Sequence, residues 1–402
     1  MKHILVVSQY YSPEPMRVTD LCEKLVSEGH KVTVITGIPN YPIGKFYKGY
    51  GWFSKRRETV NGVEIIRLPI ISRGNNKIQL VLNYYSFVVS GFFWAKFTKI
   101  KADTILCSAV SPMTQALPAM HFAKRRKIPF SFYVQDLWPE TVSVITGIKG
   151  GIIMKSLDKM MNRIYRNCTH ILTTSPGLKK RIEERESARG KVIYWPQYAE
   201  SFDKRIENPV IPEDFPKTID FKLIFTGNIG YAQGLEILPK LVRSLKNRGK
   251  RISVIVLGDG RYKEAFVQDI EKAGVTDSFY LLGRKPATEV PAYLSLSDAA
   301  FISFSDDELF KLMIPAKLQS YLACGMPVLA SAEGETERVI REAECGFSSP
   351  LGDVEGLADC VEKMMELSET EMGRFRFNAE RYSKDIFDRD KLIQELNKFL
   401  DI

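Results

Sequence analysis

The sequence predicts two doubly wound α/β lobes joined by a linker, and three observations carry that reading. The chain has 402 residues, too many for one ordinary core and about right for two domains. Short apolar runs alternate with helical patterns through the first half, and the alternation restarts after about residue 218. Between the two, PQYAESFDKRIENPVIPEDFPKT at 196–218 is rich in Pro and charge and lacks apolar periodicity, as a linker should. The expected domains are therefore 1–203 and 204–380, each Rossmann-like.

Taken in order, HILVVSQ is an apolar run suited to a buried parallel strand. Over 17–28, Val18, Leu21, Cys22, Leu25 and Val26 fall at helical spacing, and Gly29 stops the helix. The strands KVTVITG, VEIIRLPI, DTILCSAV, PFSFYVQD and HILTTS follow, most of them separated by helical patterns. The second half begins with strand KLIFTGN and helix GLEILPKLVRSLKNRG. Then come ISVIVLGDG, a helix to about Ala273, FYLLGR, a helix near 288–296, DAAFISF, the helix IPAKLQSYLACG and strand PVLAS. In folds of this kind ligands bind at the carboxyl ends of the strands, in the crevice they border.

The opening MKHILVVSQYYSPE carries a cation and an apolar run, but the run spans only about five residues and leads into a helical pattern. It reads as a strand, not a signal peptide. The six cysteines are scattered without a CxxC, so they read as reduced thiols of a cytoplasmic protein. None of the four histidines falls into a constellation, and no zinc site is supported. Charge is unevenly shared: residues 1–200 hold 30 Lys and Arg against 14 Asp and Glu, and the remainder 27 against 34. A basic half suits an anionic membrane surface, a phosphorylated substrate or nucleic acid. The absence of an aromatic–basic recognition motif argues against nucleic acid.

The 18 residues between Lys77 and Lys96, IQLVLNYYSFVVSGFFWA, carry no charge. Strands of a soluble type precede and follow them, so a membrane span would split one sheet across a bilayer. A buried core helix and a helix half-embedded at a membrane interface both remain open. Lys77, Lys96, Lys99, Lys101 and Trp94, with the basic stretches 124–127 and 155–167, suit the second.

Several turns can carry chemistry. Gly227-Asn228 and Gly258-Asp259-Gly260 end second-half strands, where small residues let a backbone approach a nucleotide. A P-loop signature is absent. Pro315 opens a helix whose first turn offers N–H groups and a partial positive charge to a diphosphate, and Lys317 in that turn goes against the dipole unless an anion binds there. In the first lobe, Asp136 and Glu140 flank Trp138 at a strand's carboxyl end. A carboxylate there can orient or deprotonate a sugar hydroxyl, or simply cap the next segment. The first loop brings Tyr11, Glu14 and Arg17 to the same edge.

In order along the chain, SQYYSPEP, GHKVTVITGIPNYPIGKFY, VQDLWPE, TTSPGL, FTGNIGYAQGLE, VLGDG and PAKLQSYLACGMPVLAS resemble glycosyltransferase family 4. PNYPIGKFY and QDLWPE look like the subgroup of lipopolysaccharide, colanic-acid and capsule biosynthesis, some of whose members transfer N-acetylfucosamine or related sugars. The resemblance implies a GT-B fold, with the acceptor in the first lobe and a nucleotide sugar in the second, and a final helix, 381–402, returning to the first lobe. It implies a hexosyltransferase-type enzyme that retains anomeric configuration, with no metal and no cofactor beyond the UDP-sugar donor. The acceptor would be an undecaprenyl-diphosphate-linked saccharide, and the enzyme would lie peripherally on the inner face of the plasma membrane. Catalysis would fall to Asp136, Glu140 and Lys317, with Tyr11, Glu14, Arg17 and Trp138 on the acceptor. Donor contacts would come from Gly227, Asn228, Gln233, Gly258, Asp259, Arg284, Lys285, Lys311, Gln319 and Glu335. Many relatives carry two glutamates seven residues apart, which correspond to Lys311 and Gln319, and an Arg and a Lys that correspond to Asn228 and Gln233. Gln135 stands where His is frequent. A nucleotide-sugar epimerase of the same architecture and a non-catalytic membrane- and nucleotide-binding scaffold are the rival readings.

Overall fold

Ile4, Leu5, Val6 and Val7 are all buried, with no alternation of exposure, because helices cover both faces of a parallel sheet. The same logic sets the other inner strands in a computed structural model of the chain, which describes residues 1–74 and 76–400. The first unit comprises Met1–Pro196 and the stretch from Asp390, and the second Gln197–Arg389.

The first unit contains strands β1 (His3–Val7), β2 (Lys31–Gly37), β3 (Arg57–Val60), β4 (Val63–Leu68), β5 (Thr104–Ala109), β6 (Phe130–Val134), β7 (His170–Thr173) and β8 (Val192–Tyr194). Their order is β3-β4-β2-β1-β5-β6-β7-β8. All neighbours run parallel except β3, which pairs antiparallel with β4. The helices are α1 (Val18–Ser27), α2 (Lys77–Phe97), α3 (Ala116–Arg126), α4 (Glu140–Thr146), α5 (Gly151–Asn167) and α6 (Pro176–Glu183). Strand order reverses between β1 and β5, so the loops after these two strands flank the place where such sheets bind ligands.

The second unit contains β9 (Phe221–Thr226), β10 (Ile252–Leu257), β11 (Phe279–Gly283), β12 (Ala299–Ser303), β13 (Val328–Ser331) and β14 (Gly346–Ser349). They form one parallel sheet, ordered β11-β10-β9-β12-β13-β14, with the switch point between β9 and β12. Its helices are α7 (Ile237–Asn247), α8 (Lys263–Ala273), α9 (Val290–Ser295), α10 (Glu308–Lys311), α11 (Ala316–Ala323), α12 (Glu335–Ala343), α13 (Val354–Met365) and α14 (Glu369–Ile386). Two apolar clusters, one on each face of the sheet, fill the space beneath them.

The final helix, α15 (Arg389–Phe399), buries Leu392, Ile393 and Leu396 in the first unit. There the Trp195 indole donates to the Leu392 carbonyl (2.7 Å), Asn397 donates to Glu28 (2.8 Å), and Lys24 pairs with Asp390 (2.9 Å). The division thus falls at 196/197 where 203/204 was expected. The return begins at Asp390, not at 381, because α14 packs on α11 and α12 of the second unit as far as its end.

Candidate functional site

In the second unit the carboxyl ends of β9, β10 and β12 are locked together by backbone. Gly227 donates its N–H to Leu257 (2.8 Å), Ile229 to Asp259 (3.0 Å), and Tyr262 to Ile229 (3.0 Å). The loops cross so closely that a Cβ on Gly258 would stand 1.8 Å from the Gly227 carbonyl oxygen. Gly234, at φ +58, leaves the same kind of gap: a Cβ there would meet the Phe304 carbonyl at 2.2 Å. Ser303 Oγ donates to the Gln233 carbonyl (2.6 Å) and so seats the 227–234 loop on the end of β12.

Lys317 reaches into this loop from the first turn of α11. Its ammonium lies 3.7 Å from the centre of the Phe225 ring and donates to Gln233 Oε1 at 2.5 Å. Among the described residues no carboxylate pairs with it. Burial without a counter-ion pulls its pKa down to about 7. Gly227 lies against it, since a Cβ there would make ordinary contact with Nζ at 3.6 Å, and its φ of +130 is a conformation that favours glycine. Tyr321, buried, accepts the Thr226 N–H (2.9 Å) and fixes α11 against β9. Pro315 stands at the N-cap of this helix, one position ahead of the turn it was expected to open.

The other expected donor residues divide. Asn228 packs its amide against Gly230 and Gly260, at the heart of the loop junction. Asp259 accepts from the Gly260 N–H (2.9 Å) and stays half-exposed at the end of β10. Arg284 follows β11 on the surface, without a protein partner among the described residues. Four expectations change. Lys285 is turned to Asp214, which also accepts from Tyr293 (2.8 Å), so it anchors the linker rather than a diphosphate. Gln319 is fully buried; in the orientation that pairs it, its amide nitrogen donates to the Pro315 and Ala316 carbonyls at 2.9 Å each, which leaves no group for a ribose. Lys311 pairs with Glu308 (2.8 Å) and lies 3.7 Å from Glu333, while Glu335 is held by Arg338 (2.7 Å). Both sit beside the end of β13, already neutralised by protein.

In the first unit, Asp136 accepts from Ser111 (2.9 Å) and from the Thr141 hydroxyl, and Ser111 also accepts from the Trp138 indole (3.0 Å). Burial raises the Asp136 pKa, and these hydrogen bonds oppose the rise. Trp138 is buried and acts through Ser111. Arg17 stands at the N-cap of α1, close enough for its charge to act on the buried Tyr133 phenol of β6.

The remaining residues correct the sequence reading. Glu140 does not join Asp136; its carboxylate lies 3.5 Å from Arg181 and 3.7 Å from Arg185 of the α6 region. Tyr11 is buried against Cys22 of α1. Glu14 is buried too and accepts three backbone N–H groups, from Tyr11 (3.0 Å), Asn40 (2.7 Å) and Tyr41 (2.6 Å). Burial pushes its pKa up to about 7, the three donors restraining the shift. Both residues shape the loop instead of meeting an acceptor. Glu14→Ala is expected to destabilise the first unit by about 3 kcal/mol, since unsatisfied buried donors each cost about 1–3 kcal/mol. A thermal melt checks this, and an unchanged melting temperature contradicts it.

Those loops carry a group with no motif in the sequence. Arg73 donates to the Tyr10 hydroxyl (3.1 Å) and lies over the Tyr41 ring at 5.2 Å. The buried Asn83 of α2 accepts from Gln9 (2.8 Å) and Tyr10 (3.2 Å) and props the assembly from below. Tyr84 lies near enough to Arg73, Tyr41 and Asp136 for all three to act on its phenol, whose pKa burial raises. An arginine without a carboxylate partner among the described residues therefore shares an aromatic-walled surface with Asp136, beside the switch point of the sheet. Its only trace in the sequence is a lone Arg in the loop before the uncharged segment.

Comparison with known proteins gives this geometry a family. The description "Glycosyl transferase 4-like domain" matches residues 16–196, and "Glycosyl transferases group 1" matches 210–381. The chain is 26% identical over 355 residues to the putative colanic acid biosynthesis glycosyl transferase WcaI of Escherichia coli (strain K12), covering 83% of this chain and 84% of that one. Sucrose-phosphate synthase from Thermosynechococcus elongatus superposes with a TM-score of 0.77 at 14% identity, covering 100% of this chain and 98% of its own. Anabaena Alr3699/HepE, solved in complex with UDP-glucose, gives 0.72 at 12% identity over the whole of both chains. At such identities the structures share the fold, and the two domain matches, one in each unit, carry the assignment: the chain is a GT-B glycosyltransferase and belongs to the family 4-like, group 1 glycosyltransferases.

Proposed function

We propose that the enzyme transfers a sugar, an N-acetylated amino or deoxy sugar, from a UDP-sugar to a lipid-diphosphate-linked saccharide in the synthesis of a bacterial surface polysaccharide. It works at the cytoplasmic face of the inner membrane. The observation that carries the reading is Lys317, a cation without a counter-ion among the described residues, at the switch point of the second sheet. A diphosphate is the ligand that such a buried ammonium and an adjoining helix N-terminus suit. The similarity to WcaI supports the polysaccharide, and HepE shows the fold accommodating a UDP-sugar.

In the reaction the bond between the sugar C1 and the β-phosphate oxygen breaks, and the acceptor hydroxyl oxygen bonds to C1 on the same face. The hydroxyl proton passes to the departing diphosphate. Lys317 stabilises the charge that develops there, and Arg284, exposed after β11 on the same carboxyl-end side of the sheet, is a second cation available to the donor. On the first unit Asp136 orients the acceptor and Arg73 receives its phosphate. This chemistry needs no cofactor.

The test is a mass-spectrometric panel of nucleotide sugars against undecaprenyl-diphosphate-linked N-acetylhexosamines, run with EDTA present. A single-sugar mass increase for one UDP-sugar is expected. Failure of every pair overturns the substrate assignment, and conversion of a UDP-sugar without acceptor identifies an epimerase instead.

A further inference from the structure

Helix α2 shows water the face that a soluble helix normally hides. Its exposed positions recur at helical spacing and are nearly all apolar: Ile78, Val81, Tyr85, Val89, Phe93 and Phe97 form one stripe, with Ile78 75%, Phe93 62% and Phe97 69% exposed. At 21 residues the stripe runs for about 31 Å. The helix is long and apolar enough to cross a membrane, yet its other face is committed to the fold. Phe87, Val88 and Ala95 are buried, and Gly91 lies so close to α3 that a Cβ would meet Pro118 at 2.7 Å. Asn83 is tied into the buried network under Arg73. Arg125 donates to the Ala95 carbonyl (2.9 Å), so α3 also holds the end of α2. A helix anchored in this way lies on a surface and does not traverse it.

A second segment joins the stripe. Arg56 and Arg57 line one small cavity, about 350 Å³, together with Phe93 and Trp94. The loop leading to these arginines exposes Trp52 by 51% and Phe53 by 97%. Exposed aromatic side chains beside cations are the composition that partitions at a lipid interface. Along the sequence, the stretches that carry the stripe and the loop hold charge of one sign. No acidic residue occurs between Glu28 and Glu58, or between Glu64 and Asp103, whereas Lys55, Arg56, Arg57, Lys77, Lys96 and Lys99 fall within those stretches. A second copy of the chain would bring like charges together; an anionic lipid surface complements them.

We propose that the outer stripe of α2 and the Trp52–Arg57 loop form one docking face that seats the first unit on an anionic lipid bilayer, with the apolar side chains in the headgroup–acyl boundary and the cations on lipid phosphates. The proposal is independent of the sugar transferred, and UDP binding by the same preparation reports separately on the donor site.

The experiment is flotation of the full chain with vesicles of phosphatidylethanolamine and phosphatidylglycerol, or of phosphatidylcholine alone. Binding to the anionic vesicles is expected, and at least tenfold weaker binding to the neutral ones. Val89→Glu with Phe93→Glu should lower anionic-vesicle binding at least tenfold without changing UDP affinity. Lys55→Gln and Lys96→Gln should each lower it about fivefold. Phe53→Ser, at a side chain with almost no protein contact, gives a loss that misfolding cannot explain. The proposal is overturned if the wild-type chain fails to float, or if the Glu and Ser variants float as well as it does. It is equally overturned if the wild type sediments as a dimer that Val89→Glu/Phe93→Glu converts to monomer.

Discussion

Lys317→Ala is expected to lower transfer about a hundredfold, the loss typical of removing one preorganised group from developing anionic charge. The size follows from its setting, since a cation on the Phe225 ring face with a single neutral hydrogen-bond partner has been desolvated in advance of any ligand. The same setting predicts a pH signature. With a pKa of about 7 in the empty protein, Lys317 is largely neutral at pH 8, and a bound diphosphate must recharge it. UDP binding at pH 8 should therefore take up nearly one proton, visible by calorimetry as an enthalpy that varies with buffer ionisation. Affinity should fall up to tenfold per pH unit above 7. Lys317→Met should abolish the uptake. By linkage, the empty protein gains stability from this group as pH rises from about 7 towards 10.5, because the unfolded chain then holds the extra proton. Proton uptake that persists in the Met variant would remove Lys317 from the donor site.

Arg73→Gln is the variant with the largest expected effect on the acceptor side. Hydrogen bonds to charged groups are worth about 1.5–3 kcal/mol, so transfer to a diphosphate-linked acceptor should fall roughly 10- to 150-fold. The loss should appear in the acceptor KM, while UDP affinity is untouched. Arg73→Lys keeps the charge but not the planar stack over Tyr41, and should recover only part of the activity. An acceptor analogue without phosphate should respond little to either change. Equal losses with both acceptors would mean that Arg73 serves the loop and not the ligand.

The sheets were legible because parallel strands write themselves as unbroken apolar runs. HILVV, TILCSA and ISVIVL are short, nearly continuously buried runs that strand length accommodates and a helix of ordinary length does not. β3 escaped because RETV is an edge strand with half its side chains in water, β8 because VIY is only three residues long, and β14 because GFSS carries a single large apolar side chain. At the sites, the sequence locates residues at strand ends but not which way they point. Lys317 has only the neutral Gln233 as a side-chain hydrogen-bond partner among the described residues, and Asp136 accepts from Ser111 and Thr141; Gln319, one helical half-turn from Lys317, faces inward and satisfies its own helix. Glu14 and Lys285 look equally available in the sequence and are consumed by backbone N–H groups and by Asp214. Arg73 stayed hidden because its value comes from Tyr10, Tyr41 and Tyr84, which are brought to it from three separate segments. In α2 the near-uniform apolarity of the segment conceals which face is buried, and only Gly91 and Asn83 mark the inner one.

The return of α15 to the first unit bears on how the protein is made. The ribosome delivers Met1–Pro196 first, but the pocket that receives Leu392, Ile393 and Leu396 stays open, and the Trp195 indole lacks its acceptor, until residues 390–400 emerge. The second unit, contiguous in sequence, can complete its sheet before the first is closed. The unit made first thus takes its last contacts from the segment made last, and a nascent chain halted before Asp390 would lack them.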